Sequence, residues 1–105
     1  MNDPDVEVKQ GDTAPELRMS ATAGTFAAGD TVKLHLRKFG ATLTLVNAAG
    51  TIDLAAKQFV YQWASGDLSA PGDYAGEWEV TFGDGRIETF PQARNFLLRI
   101  HPEIA

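Results

Sequence analysis

His35, His101, Ser65, Ser69, Asp67, Asp73 and Asp84 are the side chains of this 105-residue chain whose types could do chemistry. A hydrolase needs a nucleophile, a base and an oxyanion site converging on one point. The two histidines do not suggest such a point. His35 alternates with Lys33 and Arg37 on the polar side of a strand pattern, and His101 stands beside Pro102, so both are expected to face solvent. Ser65 and Ser69 fall in a Gly-, Asp- and Pro-containing segment, where serine serves as a turn former. No nucleophile elbow and no phosphate-cradling loop occurs. Gly83-Asp84-Gly85 looks like a fragment of a glycine-rich loop, but strand patterns flank it on both sides, so it reads as a hairpin. The residues argue against an enzyme.

Binding chemistry is equally sparse. Asp67 with Asp73, or Asp84, offers the oxygen ligands that suit Ca²⁺, yet their spacing matches no calcium loop. With no cysteine in the chain, disulfides, thiolate metal sites and thiol catalysis are all removed. No metal and no cofactor is expected. Trp63 and Trp78, with Tyr61 and Tyr74, could form an aromatic platform for a sugar, but their alternation with polar residues places them in a core instead.

The elements that would position these residues are strands. Apolar residues recur at every second position and turn residues interrupt them at short intervals, the pattern of an all-β sandwich or barrel. Val6 to Gln10 and Glu16 to Ser20 read as one first strand broken around Gly11 and Pro15. Thr31 to Lys38 sets Val32, Leu34 and Leu36 against Lys33, His35 and Arg37, a strand with one buried and one wet face. Leu43 to Asn47 and Thr51 to Ala55 flank an Ala-Ala-Gly turn and suggest a hairpin. Phe59 to Trp63 puts Phe59, Tyr61 and Trp63 on one face. Tyr74 to Phe82 is the strongest strand, expected at the centre of a sheet. Asp84-Gly85 fits a type I′ turn leading into Arg86 to Phe90, and Asn95 to His101 closes the series before Pro102. Roughly seven to nine short strands in a chain of this length is the count of an immunoglobulin-like antiparallel β-sandwich. Pro71-Gly72-Asp73-Tyr74 then sits where a tyrosine corner would bond its hydroxyl back across the preceding loop, which Asp67 is placed to order. Gly76 takes the position where an antibody domain has its second cysteine.

Charge narrows the partners. The formal charge is −5 with a pI near 4.8, which disfavours nucleic acid. Asp3, Asp5, Glu7, Asp12 and Glu16 meet only Lys9 in the first sixteen residues. Residues 1–10 are therefore expected to form an acidic arm that includes the start of the first strand, with the sandwich over 11–105. The alternation Val6-Glu7-Val8-Lys9 suits pairing with a neighbour's sheet edge. The acidic start lacks the positive charge and apolar region of a secretory signal, and no apolar stretch is long enough to span a bilayer. Synthesis in the cytoplasm and no membrane partner are expected.

Gly11-Asp12-Thr13, Thr31-Val-Lys-Leu-His-Leu-Arg37, Tyr61-Gln62-Trp63, Pro71-Gly72-Asp73-Tyr74 and Val80-Thr81-Phe82-Gly83-Asp84-Gly85 with Thr89-Phe90-Pro91 together resemble one family. In order and spacing they are similar to the immunoglobulin-like domain of tailed-phage baseplate upper proteins, from about Val8 to Ile100. That resemblance implies a virion building block joining proteins of the tail, baseplate or neck; a second copy of the chain is a further expected partner. The family continues into helical and receptor-binding portions where this chain ends at Ala105, so a free-standing version is implied. A capsid decoration protein and a carbohydrate-binding or adhesion module are the alternative expectations.

Overall fold

Side chains that alternate sides every residue can bury one face only if the chain is extended and paired, and the chain follows that constraint. The computed structural model describes residues 4–21, 25–39, 44–91 and 95–102. Among these residues it forms no helix and nine strands: β1 (Val6–Lys9), β2 (Leu17–Ser20), β3 (Thr31–Lys38), β4 (Thr44–Ala49), β5 (Thr51–Asp53), β6 (Gln58–Tyr61), β7 (Gly72–Thr81), β8 (Ile87–Phe90) and β9 (Phe96–His101). They make two sheets. One has the order β1-β9-β7-β3-β4, with β8 also paired to β7, and the other has the order β2-β6-β5. β1 runs parallel to β9, and the remaining pairs are antiparallel. The expected long strand is at the centre, since β7 pairs with β3, β8 and β9.

One core joins the sheets into a sandwich-like, all-β fold. Val32, Leu34 and Leu36 of β3, Trp78 and Val80 of β7 and Leu98 and Ile100 of β9 are buried with Leu17 of β2 and Phe59 and Tyr61 of β6. Phe59 reaches across to Trp78, ring centroids 5.5 Å apart, and to Phe90 at 5.3 Å. Phe26 meets Phe59 edge-on at 5.4 Å and stacks on Phe82 at 6.1 Å. The Trp78 indole N–H points at Met19 Sδ, 3.3 Å away, so the polar atom of this buried ring is also answered from the opposite sheet.

Four sequence expectations change, and the first is the antiparallel sandwich, because β1 runs parallel to β9 and makes the larger sheet mixed. Val6–Lys9 and Leu17–Ser20 are not one broken strand: β1 lies in the six-stranded sheet and β2 in the other, and Val6–Lys9 is held by β9 rather than standing off as a solvated arm. The inward sides of Val6 and Val8 favour that pairing, because both pack on the core. Likewise β4 and β5 are not a hairpin, since β4 pairs with β3 and β5 with β6. Gly50 is where the chain changes sheet: its N–H donates to the Val32 carbonyl at 2.9 Å, and a Cβ there would come within 2.6 Å of the Val60 carbonyl oxygen. The start of the predicted strand at Leu43 lies outside the described residues. Finally, the β7–β8 connection is a three-residue loop rather than a two-residue type I′ turn. Phe82 pairs with Arg86, the Gly85 N–H donates to the Phe82 carbonyl at 2.9 Å, and Gly85 at φ 94° is the residue of the loop with positive φ. Asp84 keeps a negative φ, and its carboxylate accepts the Arg86 N–H at 3.0 Å.

Two features lock the centre. The Tyr74 hydroxyl donates to the Ala70 carbonyl at 2.7 Å, tying the start of β7 to the loop before it, where Gly72 adopts φ 138°. Gly76 lies in register between Leu36 of β3 and Phe96 of β9. A Cβ at Gly76 would overlap the Phe96 ring and approach Leu36 Cδ2 to 2.7 Å, so the absence of a side chain makes room for that ring. Phe96 in turn stacks on Trp78 at 6.3 Å. Gly76→Ala should therefore lower stability by about 1–3 kcal/mol through overpacking. Urea unfolding of the single variants and of Gly76→Ala with Phe96→Leu should give strongly non-additive losses. Additive losses would mean that the ring does not depend on the glycine.

Candidate functional site

The side chains with chemical potential are dispersed. Asp67 accepts the Tyr61 hydroxyl at 2.7 Å and the Ala64 N–H at 2.8 Å, which orders the loop after β6 as expected. Asp73 holds the Arg99 guanidinium through two contacts, 2.8 and 3.2 Å, and Asp84 holds Arg86 at 2.7 Å. The Arg99 partner keeps the Asp73 carboxyl below its ordinary range. Each carboxylate is thus committed to a separate local contact. His101 Nε2 lies 2.7 Å from Glu7 Oε1, joining β9 to β1 on the wet face. His35 departs from the solvent-facing expectation: it is half-buried, and its Nε2 is the buried side-chain atom without a hydrogen-bond partner among the described residues. His35 sits across from Glu77 of β7, and Arg37, Glu77 and Asn95 line the small hollow beside it.

The aromatic residues are inside. Trp63, Trp78, Tyr61 and Tyr74 are all buried, and Trp63 packs edge-on against Tyr61 at 5.4 Å. Burial, followed by the Asp67 hydrogen bond, pushes the Tyr61 hydroxyl up to about 12. Burial raises Tyr74 as well.

A groove of about 620 Å³ lies between β1 and β2. Val6 and Val8 form one wall, Leu17 the other, and Trp63 and Leu68 the floor. It exists because β1 ends one sheet and β2 ends the other, so the core between them is closed by no further strand among the described residues. The connecting segment is tied down at its base: the Gly11 N–H donates to the Leu68 carbonyl at 2.8 Å, and Gln62 Nε2 donates to the Thr13 carbonyl at 2.6 Å. The rim is charged with both signs. Glu7 and Lys9 stand on the β1 side, Glu16 and Arg18 on the β2 side, and Arg18 bonds Glu16 at 3.0 Å and Asp53 at 3.2 Å. Arg18 draws Glu16 and Asp53 below their ordinary carboxylate range, although backbone hydrogen bonds lower each of them more.

Val6, Glu7, Val8 and Lys9, singled out from sequence as an interaction segment, line this groove. Glu16, Leu17 and Arg18 do so too, and sequence reasoning passed over them. Their signal was present, since Glu16-Leu17-Arg18 repeats the acid–apolar–base order of Glu7-Val8-Lys9. Tyr74, Trp78, Gly72, Asp84 and Gly85 lie away from it and are structural.

The Tyr61 proton is held more tightly in the folded chain than in the unfolded one, where the hydroxyl titrates near ~10. It therefore contributes stability that is complete below pH ~10 and is lost as pH rises through about 12. Chemical unfolding followed across that window should show a steep fall for the natural chain and a shallower one for Tyr61→Phe. Equal slopes would mean that Tyr61 ionises freely. Compared with models of protein families, with curated proteins and with solved structures, the chain matches none.

Proposed function

We propose that this chain is an immunoglobulin-like assembly module, a structural protein of a tailed-phage particle that joins other virion proteins in the tail, baseplate or neck. The groove between the open edges of β1 and β2 carries the reading. It offers what an incoming protein chain needs: strand edges that pair with no further strand among the described residues, and apolar side chains between them.

The strand order supports the immunoglobulin-like part. β2-β6-β5 corresponds to strands B, E and D, and β9-β7-β3-β4 to G, F, C and C′, with β1 beside G. The Tyr74 hydroxyl on the Ala70 carbonyl, near the start of the strand taken as F, fits a tyrosine corner. The sequence resemblance to baseplate upper proteins supports the phage part. Burial of Trp63 and Trp78 removes the exposed tryptophan that a sugar platform would use, and so favours protein over glycan as the partner.

Quantitative mass spectrometry of purified particles, with the major capsid protein as internal standard, tests this reading. A few copies per particle are expected. A copy number close to that of the capsid protein would make it a head decoration instead, and absence from the particle would overturn the virion assignment and bring the glycan-binding alternative forward.

A further inference from the structure

We propose that the groove takes a second copy of this chain, docked edge to edge so that β1 pairs antiparallel with β1 and β2 with β2 about one two-fold axis normal to the sheets. The inference deepens the assembly reading above and rests on it, naming the partner that the groove receives.

The two strand edges that flank the groove carry the same three-residue order. Glu7-Val8-Lys9 lies on β1, and Glu16-Leu17-Arg18 spans the start of β2. In each, acid and base are two residues apart and so share the outer face, as the Glu16–Arg18 contact at 3.0 Å illustrates. The residue between them faces inward: Val8 is half-buried and Leu17 buried. A two-fold axis makes residue i meet j while j meets i. Centred on Val8, it sets Glu7 of each copy opposite Lys9 of the other. Centred on Leu17, it sets Glu16 opposite Arg18.

This charge order also selects the register. Opposite charges directly across an antiparallel pair contribute roughly 0.2–1 kcal/mol and like charges oppose pairing. Sliding by two residues, the smallest slip that keeps the apolar side inward, would place Glu7 against Glu7 or Lys9 against Lys9, and likewise Glu16 against Glu16 or Arg18 against Arg18. An axis normal to the layers reverses each strand and leaves it in its own layer, so a single operation serves both edges, and Val8 and Leu17 line the one groove it would cross. The two grooves then face each other and their apolar walls are covered.

β1 and β2 are short and carry charges on their outer faces, two of the features that keep edge strands single. The other protections, an inward charge, a bulge or a proline within the strand, are missing from them. The inward residues here are Val6, Val8, Leu17 and Met19, all packed on the core, and the pairings of β1 and β2 run without a register shift. Lys9 has no ion-pair partner among the described residues, and a second copy would supply Glu7 as one.

Sedimentation equilibrium of the full chain at ~0.1 mM, well above a micromolar Kd, is the test. The expected mass is twice the 11.3 kDa of one chain. The all-acid variant Lys9→Glu with Arg18→Glu and the all-base variant Glu7→Lys with Glu16→Lys should each sediment as monomers, and mixing them should restore the dimer. Lys9→Glu alone, at an exposed position without an ion pair, should keep the fold and weaken self-association about tenfold or more. A monomeric natural chain, a dimer indifferent to these changes, or folded variants that fail to associate on mixing would each overturn the proposal. Incorporation into particles as a monomer would leave the assembly reading standing without the second copy, whereas a dimer absent from particles would do the reverse.

Discussion

The contact between Phe59 and Trp78 is where two sheets become one molecule. Neither sheet could bury its apolar face alone, and with no cysteine in the chain no covalent bridge holds the layers together. Each large side chain fully removed from water contributes roughly 1.5–3 kcal/mol, and the aromatic geometry adds to that. Phe59, Trp78 and Phe90 meet at centroid distances of 5.3 to 5.5 Å, with Phe26 closing over Phe59. Gly76 lies beneath the Phe96 ring, and the side chain it lacks leaves the space that this ring fills.

Packing of this kind stops at the edges. At Gly50 the chain crosses from one sheet to the other, close against the Val60 carbonyl. Between β1 and β2 the described residues leave the core open, with Val6, Val8 and Leu17 facing a gap above Trp63 and Leu68. Stability and the proposed interaction therefore draw on the same feature. The apolar alternation that fastens β1 to β9 and β2 to β6 also leaves an apolar wall with free strand edges on either side. Charges of both signs stand on the outer faces of those edges.

Much of the fold was legible in the sequence because its signals are local. Strand identity and facing direction follow from a two-residue period, and the period held for β3, β6, β7 and β9, including the inward row Phe59, Tyr61 and Trp63. The tyrosine before Gly76 was readable for the same reason, since its hydroxyl partner, Ala70, is four residues away. Errors fell where a short-range signal has two spatial solutions. Ala48-Ala49-Gly50 has the composition of a turn and serves as a sheet change, because Gly50 packs against the Val60 carbonyl and no side chain would fit there. Asp84-Gly85 suits more than one hairpin, and the Phe82–Arg86 pairing selected the three-residue loop.

By itself the sequence determined that the chain is built of strands and which side of the main strands faces inward. Tertiary structure alone decided which strand joins which sheet, that β1 lies parallel to β9, and that Glu7-Val8-Lys9 and Glu16-Leu17-Arg18 flank one groove. The physical reason is distance along the chain. Contacts such as Glu7 with His101 and Asp5 with Leu97 join residues more than ninety positions apart, and their register is set by the shape of the common core, which no short stretch of sequence specifies.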